Sequence, residues 1–261
     1  PLAIADNIHA QVSNPRLVDE WIKGIAKGAS EAECLVPSGE IGDVAEVIKG
    51  LMNGKGFDMV VASIGEVAEE DIVHGDKIKP SDIVIGLRSS GIHSNGVSLA
   101  RKILFKQWGG KYEPFDIPDG FNREIVFEAL EPMVIYVKPI MNVLKEFHMK
   151  GLVHITGDAY QKFNKLMEFS KGIGFEFDNF KPQRIFQLIQ ETAKELKKPI
   201  TEEEMLKTFN MGWGFAVVCE EGDKDDVIDS LEKSKTETEV IGKANSSEKI
   251  VAKWRTKVLI Q

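Results

Sequence analysis

Apolar residues recur along the chain at two spacings, and the alternation of the two predicts where helices and strands lie. The first helix is predicted at residues 15–32, where Pro15 suits the opening turn and Asn14 the N-cap. Short runs rich in β-branched residues, bounded by Gly and Pro, predict strands. We predict strands at 1–5, 34–37, 59–67, 82–88, 152–155, 174–177, 214–218, 239–242 and 249–252, and further helices at 96–106, 137–147, 159–169, 185–196, 202–208 and 223–234.

The mixed order of these elements places the chain in the α/β to α+β class. One segment, residues 77–82, carries a turn at Pro80 and reads as a linker between two units. We therefore predict one α/β domain over residues 1–79 and a second over residues 80–261. With 261 residues and 43% apolar content, the chain is long enough for one large or two modest cores.

Charge and cysteine content limit the kinds of partner and the cellular compartment that we expect for this chain. A formal net charge of −8 argues against a nucleic-acid partner, because phosphate neutralisation needs a basic face. No apolar run reaches the roughly 18 residues that a membrane span needs, so we expect no membrane partner. Cys34 and Cys219 stand among apolar neighbours, which favours buried thiols over a disulfide or metal site and predicts a reducing, cytoplasmic location.

The most informative segment is the octapeptide Ser-Ser-Gly-Ile-His-Ser-Asn-Gly at residues 89–96, which joins the strand at 82–88 to the helix at 96–106. Its glycines, Gly91 and Gly96, let the backbone approach a ligand, and the helix directs free N–H groups and its positive dipole end at the loop. Hydroxyl and amide side chains add neutral donors. These features suit a phosphate, although an ordinary turn with Ser or Asn as N-cap fits the same spacing.

Four segments resemble, in the same order, motifs of the aminoimidazole ribonucleotide synthetases, the phosphoribosylformylglycinamidine cyclo-ligases of purine biosynthesis. The 89–96 loop resembles their S-S-G-x-H-S-N-G. Residues 131–139 resemble E-P-T-R-I-Y-V-K-P, residues 154–157 the start of H-I-T-G-G-G, and residues 209–214 F-N-M-G-x-G. The likeness is weaker before residue 80, where residues 38–43 read Ser-Gly-Glu-Ile-Gly-Asp in place of G-G-E-T-A-E.

The resemblance implies a fold and an assembly. Residues 1–79 would be the later part of an N-terminal α/β domain whose sheet forms the dimer in the family, and residues 80–261 the C-terminal synthetase domain, so we expect a homodimer. Family members carry roughly a hundred further residues before this point, within ordinary domain sizes, including motifs that help hold ATP and magnesium. We therefore expect an N-terminally truncated form that is inactive, or nearly so, alone.

A reaction is implied as well, the ATP-dependent cyclisation of formylglycinamidine ribonucleotide to aminoimidazole ribonucleotide. ATP phosphorylates the formyl oxygen, a neighbouring nitrogen attacks that carbon, and phosphate leaves. The implied partners are a small phosphorylated substrate and ATP, with Mg²⁺ as a further cofactor. The alternatives are another ATP-using enzyme of the superfamily, such as formylglycinamidine synthetase, selenophosphate synthetase or thiamine-monophosphate kinase, or a non-catalytic maturation or binding fragment.

The motif positions supply the candidate site residues. Asp158 stands where the family has a glycine, and we interpret it as the N-cap of the helix at 159–169 rather than as a ligand-facing carboxylate. Glu40 and Asp43 are the carboxylates expected to hold magnesium, and Glu40 with Asp6 to hold the nucleotide. His93 and Asn95 are the expected catalytic residues. The expected substrate-binding residues are Ser90, Gly91, Ser94, His154, Thr156, Gly157 and Asn210.

Overall fold

The computed structural model describes residues 1–260, without the side chain of Lys257, and shows two compact units. The first comprises Pro1–Ile72 with Ile135–Lys138, and the second comprises Val73–Val134 with the chain from Pro139 onward. This division falls before the predicted linker, because Ile78 is buried in the core of the second unit. The return of residues 135–138 to the first unit is not predicted by the linear pattern.

The first unit is a three-stranded sheet with one helix packed on it. Its elements are β1 (Ala3–Ala10), α1 (Pro15–Glu31), β2 (Leu35–Asp43) and β3 (Phe57–Ile64), and the strand order is β2-β1-β3. β1 runs parallel to β2 and antiparallel to β3. Asn14 Oδ1 accepts a hydrogen bond from Arg16 N at 3.0 Å, so the predicted N-cap of α1 is confirmed. The sheet face toward α1 carries Ile8 and Ala10, which are fully buried.

The second unit is a seven-stranded sheet with helices. Its strands are β4 (Ile83–Arg88), β5 (Gly151–His154), β6 (Gly174–Phe177), β7 (Trp213–Cys219), β8 (Thr238–Asn245), β9 (Ile250–Lys253) and β10 (Lys257–Leu259). The helices after β3 are α2 (Val97–Leu104), α3 (Ile125–Ala129), α4 (Val137–Glu146), α5 (Asn164–Met167), α6 (Arg184–Glu195), α7 (Glu202–Thr208) and α8 (Lys224–Glu232). The strand order is β10-β9-β6-β8-β4-β7-β5, and all neighbours are antiparallel except β6 and β9. The predicted α/β to α+β class is confirmed.

Some elements differ from the prediction in extent. The helix predicted at 159–169 is a 3₁₀ turn, Ala159–Phe163, followed by the short α5. It cannot begin as a regular helix because Asp158 and Ala159 both have positive φ, 65° and 42°. β1 runs on to Ala10, since it is hydrogen-bonded on both sides along its whole length.

β4 lies inside the sheet between β7 and β8, and its apolar run reflects burial on both faces. Val84, Ile85 and Leu87 are fully buried. Elsewhere in the core, the ring of Phe163 packs edge-on against two neighbouring phenylalanines at centroid distances of 5.0 and 4.7 Å. Each such buried ring contributes about 1.5–3 kcal/mol to folding. The loop that follows β4 is therefore anchored to a well-packed sheet.

The state of the two cysteines and the length of the helices were also predicted from the sequence. Cys219 is buried and Cys34 is half-buried, and both are free thiols. Burial raises the pKa of the Cys219 thiol to about 12, so little of it is thiolate near neutral pH. Within residues 1–260, each helix is too short or too polar to cross a membrane.

Candidate functional site

The 89–96 loop connects the end of β4 to the start of α2, as predicted. Gly96 occupies the N-cap position with φ +72°, and a Cβ there would lie 2.2 Å from a ring carbon of Phe209. No side chain caps the helix, so the interpretation of Ser or Asn as the cap is wrong; a left-handed glycine takes that position. No side-chain oxygen of the loop therefore occupies the N–H groups of the first turn of α2.

His93 lies inside the loop and is only 7% exposed. Its Nε2 accepts a hydrogen bond from Ser90 N at 3.1 Å, so the neutral ring carries its proton on Nδ1. Ser90 Oγ in turn donates to Pro132 O at 2.6 Å. Burial, and to a smaller degree the neighbouring His154, lowers the pKa of His93 to about 4. His93 is therefore uncharged near neutral pH and helps to fix the backbone at Ser90.

Asn210 lies behind the loop and ties it to the turn before β7. Its Nδ2 donates to Gly91 O at 2.8 Å and to Ile92 O at 3.3 Å, and its Oδ1 accepts from Ser89 Oγ and Gly212 N, both at 2.9 Å. These four contacts use the whole hydrogen-bonding capacity of a primary amide. The side chain, 3% exposed, has no remaining group for a substrate and instead positions the loop.

Two further residues support this arrangement, and the sequence reasoning did not find either. Gln183 Nε2 donates to Ser89 O and, at 3.1 Å, to Ser89 Oγ. The fully buried Tyr160 donates its hydroxyl to Asn210 O at 2.9 Å, and burial raises the pKa of that hydroxyl. Both partners lie 50 or more residues away along the chain. No local pattern signals such contacts.

A second loop follows β5 and lies beside the first. A Cβ placed on Gly157 would be 3.3 Å from Asn95 Oδ1, which shows how closely the two loops approach. The His154 ring stacks on Phe215 at 5.6 Å, and Thr156 Oγ1 lies 3.4 Å from His154 O. Burial and the nearby Lys162 lower the pKa of His154.

Asp158 departs from its predicted role. It precedes the 3₁₀ turn in a left-handed conformation, with φ 65°, and its side chain makes no capping hydrogen bond. The N-cap interpretation is therefore wrong, because a cap needs extended backbone to bring the side-chain oxygen onto the N–H groups of the first turn. Asp is among the few residue types that tolerate this conformation, which glycine usually supplies.

In the first unit, the predicted carboxylates do not converge. Asp6 pairs with Gly39 across β1 and β2 and lines a cleft of about 390 Å³ against α1. Glu40 is the next residue along β2 and so faces the other side of the sheet. Asp43 Oδ1 accepts from Ser13 N at 2.6 Å, which uses it to hold the turn after β1.

Magnesium therefore has no formed site among these residues. Glu40 and Asp43 are three positions apart on one strand, so their side chains lie on opposite faces. Across the described part of the chain, no group of three or more His, Cys, Asp or Glu side chains is placed to hold a metal ion. The donor set of this chain does not fit the ion that the resemblance implies.

Comparison with known sequences gives consistent matches. A family described as "AIR synthase related protein, C-terminal domain" matches residues 79–255. A phosphoribosylformylglycinamidine cyclo-ligase of Methanopyrus kandleri is 37% identical over 252 residues, which cover 96% of this chain and 69% of that protein. The cyclo-ligase of Pyrococcus horikoshii is 37% identical, covering 89% and 63%, and that of Methanocaldococcus jannaschii 34% identical, covering 95% and 67%. The chain thus spans about two thirds of the length of these curated relatives.

Solved structures give the same fold at low identity. Escherichia coli HypE superposes with a TM-score of 0.64 at 15% identity, covering 99% of this chain and 72% of that one. T. maritima PurL complexed with ATP superposes with a TM-score of 0.56 at 14% identity, covering 100% and 37%. At these identities the likeness concerns the fold alone.

Proposed function

This chain belongs to the family of phosphoribosylformylglycinamidine cyclo-ligases, and from that premise we propose that it takes part in the ATP-dependent closure of the imidazole ring of aminoimidazole ribonucleotide. The substrate would be formylglycinamidine ribonucleotide. Its formyl oxygen is a poor leaving group, so phosphoryl transfer from ATP must precede attack by the neighbouring nitrogen. Phosphate then leaves as the ring closes.

The observation that carries this proposal is the prepositioned 89–96 loop. Its backbone is held from behind by Asn210, while Ser94 is exposed and Asn95 half-buried, so both can reach a ligand. A rigid set of neutral donors at a helix start suits a phosphorylated substrate. Such a site acts by positioning and charge stabilisation, which is what phosphoryl transfer chiefly requires.

Individual roles follow from these contacts. Ser94, Asn95 and the N–H groups of the first turn of α2 would bind the phosphorylated group. His93, neutral and bonded to Ser90, would keep the backbone of the loop in place. His154 and Thr156 would line the opposite side. Glu40 and Asp43 lie on opposite faces of β2, so they would not hold one ion together.

A homodimer is part of the proposal. The sheet face turned away from α1 carries apolar side chains that are mostly exposed, among them Leu35 (73%), Val60 (56%) and Ile64 (62%). The pairing registers place all three on this one face, since Leu35 and Ile64 both pair with Ala3, and Val60 pairs with Asn7. An apolar sheet face of this kind is a typical association surface.

Ring closure can be tested by ADP release that depends on formylglycinamidine ribonucleotide. We expect turnover in a form extended to the length of the relatives, little or none in the 261 residues alone, and none with thiamine monophosphate or selenide as substrate. Ser94→Asp should abolish turnover, because it places a negative charge where the phosphate binds. Ser246→Asp, in an exposed turn, is the matched control and should not. Turnover with thiamine monophosphate would refute the proposed reaction, and robust turnover by the 261 residues alone would refute their expected inactivity.

A further inference from the structure

Lys162 is a half-buried lysine whose charge has no direct counter-ion. It lies on the 3₁₀ turn Ala159–Phe163, and its Nζ donates to Thr156 Oγ1. Among residues 1–260, no carboxylate hydrogen-bonds or ion-pairs with it; Asp158 acts on it only at longer range. Burial, and then Lys165, lowers the pKa of Lys162. Partial burial of an ammonium group whose only hydrogen-bond partner is a neutral hydroxyl is unfavourable, so such a group is a candidate for binding an anion.

The surroundings of Lys162 place this charge at the candidate site. Thr156, its hydrogen-bond partner, precedes Gly157, which adjoins Asn95 of the other loop. Lys162 is also close enough to His154 to lower the pKa of that imidazole. With His93 and His154 both neutral near pH 7, neither histidine supplies a fixed positive charge there.

We propose that Lys162 is the cation that neutralises a phosphoryl group bound between the 89–96 loop and the loop that follows β5. The neutral donors of the first loop would orient the phosphoryl oxygens, and the ammonium group would supply the charge they lack. This inference deepens the proposed function and rests on it only for the source of the phosphoryl group. That source is either the ribonucleotide substrate or the terminal phosphate of ATP.

A purely structural role is the competing explanation, and it predicts different behaviour. If Lys162 only braces Thr156 beside the left-handed Asp158, its loss should lower stability and leave anion affinity unchanged. A charge that binds an anion gives an affinity that falls with salt and is kept by arginine.

Inorganic phosphate is the probe, titrated into the 261-residue chain while the amide resonances of Gly91, Gly96 and Gly157 are followed. Lys162→Met should weaken phosphate binding about tenfold or more, as expected for loss of a charged hydrogen bond. Lys162→Arg should retain most of the affinity. Lys171→Met, which removes an exposed lysine nine residues away, is the matched control and should stay within about twofold.

One more variant keeps the test valid if Lys162→Met fails to fold. Asp158→Asn removes a negative charge that acts on Lys162, and asparagine also tolerates left-handed backbone. It should tighten phosphate binding about two- to fivefold at low salt. Absence of phosphate-induced shifts in the unmodified chain, or equal affinities for the unmodified chain, Lys162→Met and Asp158→Asn, would overturn the proposal.

Kinetics of the extended form identify the source. If Lys162→Met raises KM for ATP alone, the group that Lys162 binds is the terminal phosphate of ATP. If it raises KM for the ribonucleotide alone, that group is the phosphate of the substrate. Failure of ring closure would refute the proposed function and leave the phosphate titration standing, so the two failures are distinguishable.

Discussion

Replacing Asn210 with alanine is the strongest perturbation of the site that the contacts allow. The substitution removes the donor to Gly91 O and Ile92 O and the acceptor for Gly212 N, while Ser89 Oγ keeps Gln183 as a partner. Three backbone groups thus lose this partner. A buried unsatisfied polar group costs about 1–3 kcal/mol, so the three together cost about 3–9 kcal/mol. That is a large part of the roughly 5–15 kcal/mol that stabilises a domain.

Urea unfolding of Asn210→Ala measures this loss. Asn142→Ala is the matched control, because Asn142 is half-buried and makes one long hydrogen bond, 3.3 Å, to Ser234 Oγ. We expect at most about 1 kcal/mol from the control. Asn210→Asp tests the role of the donor group separately. The carboxylate keeps the size and the acceptor oxygen of the amide but turns a second oxygen toward Gly91 O and Ile92 O. The variant should therefore be less stable near neutral pH and regain part of that stability in acid, where a protonated carboxyl can donate.

Amide exchange locates the effect. Loss of Asn210 should speed exchange of the amides in the 89–96 loop more than those of the β4 core, because its contacts end at the loop. A loss of less than about 1 kcal/mol with unchanged exchange in the loop would show that water replaces the side chain, and that Asn210 does not position the site.

Two further predictions concern the loop itself. Gly96→Ala should destabilise the protein by about 2 kcal/mol or more, because left-handed backbone costs an L-residue about 1–2 kcal/mol and the new Cβ would meet Phe209. Gly24→Ala, inside α1 with open space around it, is the control and should stabilise the protein by about 0.5–1 kcal/mol. Thermal unfolding measures both variants, and an unchanged stability of Gly96→Ala would contradict the geometry. The pKa of His93 is lowered to about 4 in the folded chain, so near pH 6.5 only the unfolded chain takes up a proton at this residue. The free energy of unfolding should therefore fall by about 2 kcal/mol from pH 7 to pH 5, and His93→Gln should lack this part of the pH dependence. An equal fall in the two proteins, measured by urea unfolding at both pH values, would contradict the prediction.

Local signals in the sequence predicted much of the fold. Asn14 and Pro15 marked the start of α1 correctly, since capping depends on neighbouring residues alone. The 3₁₀ turn after Asp158 was missed because positive φ at a non-glycine residue leaves no mark in the hydrophobic pattern. The order of strands in the seven-stranded sheet was equally beyond reach, since it depends on pairings between distant segments.

In the candidate site, too, residues marked by a local motif were predicted and those placed by distant contacts were not. The 89–96 loop was found from its composition and its likeness to a motif. Asn210 was found from its motif, but its position behind the loop depends on hydrogen bonds across 119 residues. Lys162 was not singled out, because lysines are common in polar turns and only the surrounding burial makes this one unusual. Asp43 was expected at a metal, but its carboxylate accepts a hydrogen bond from Ser13 N, 30 residues away, which no local pattern signals.

The tie between Asn210 and Gly91 also sets an order of events during synthesis. The loop after β4 is made 114 residues before Asn210, counting from Gly96, so at about 5–20 residues per second it waits roughly 6–23 s for that side chain. During this interval β4 also lacks both neighbours, since β7 and β8 are made later still. An apolar strand with two open edges is prone to pair with other chains. The nascent chain is thus exposed to misassociation at the segment around which the finished site is built, and the speed of the ribosome over residues 97–245 becomes a determinant of yield.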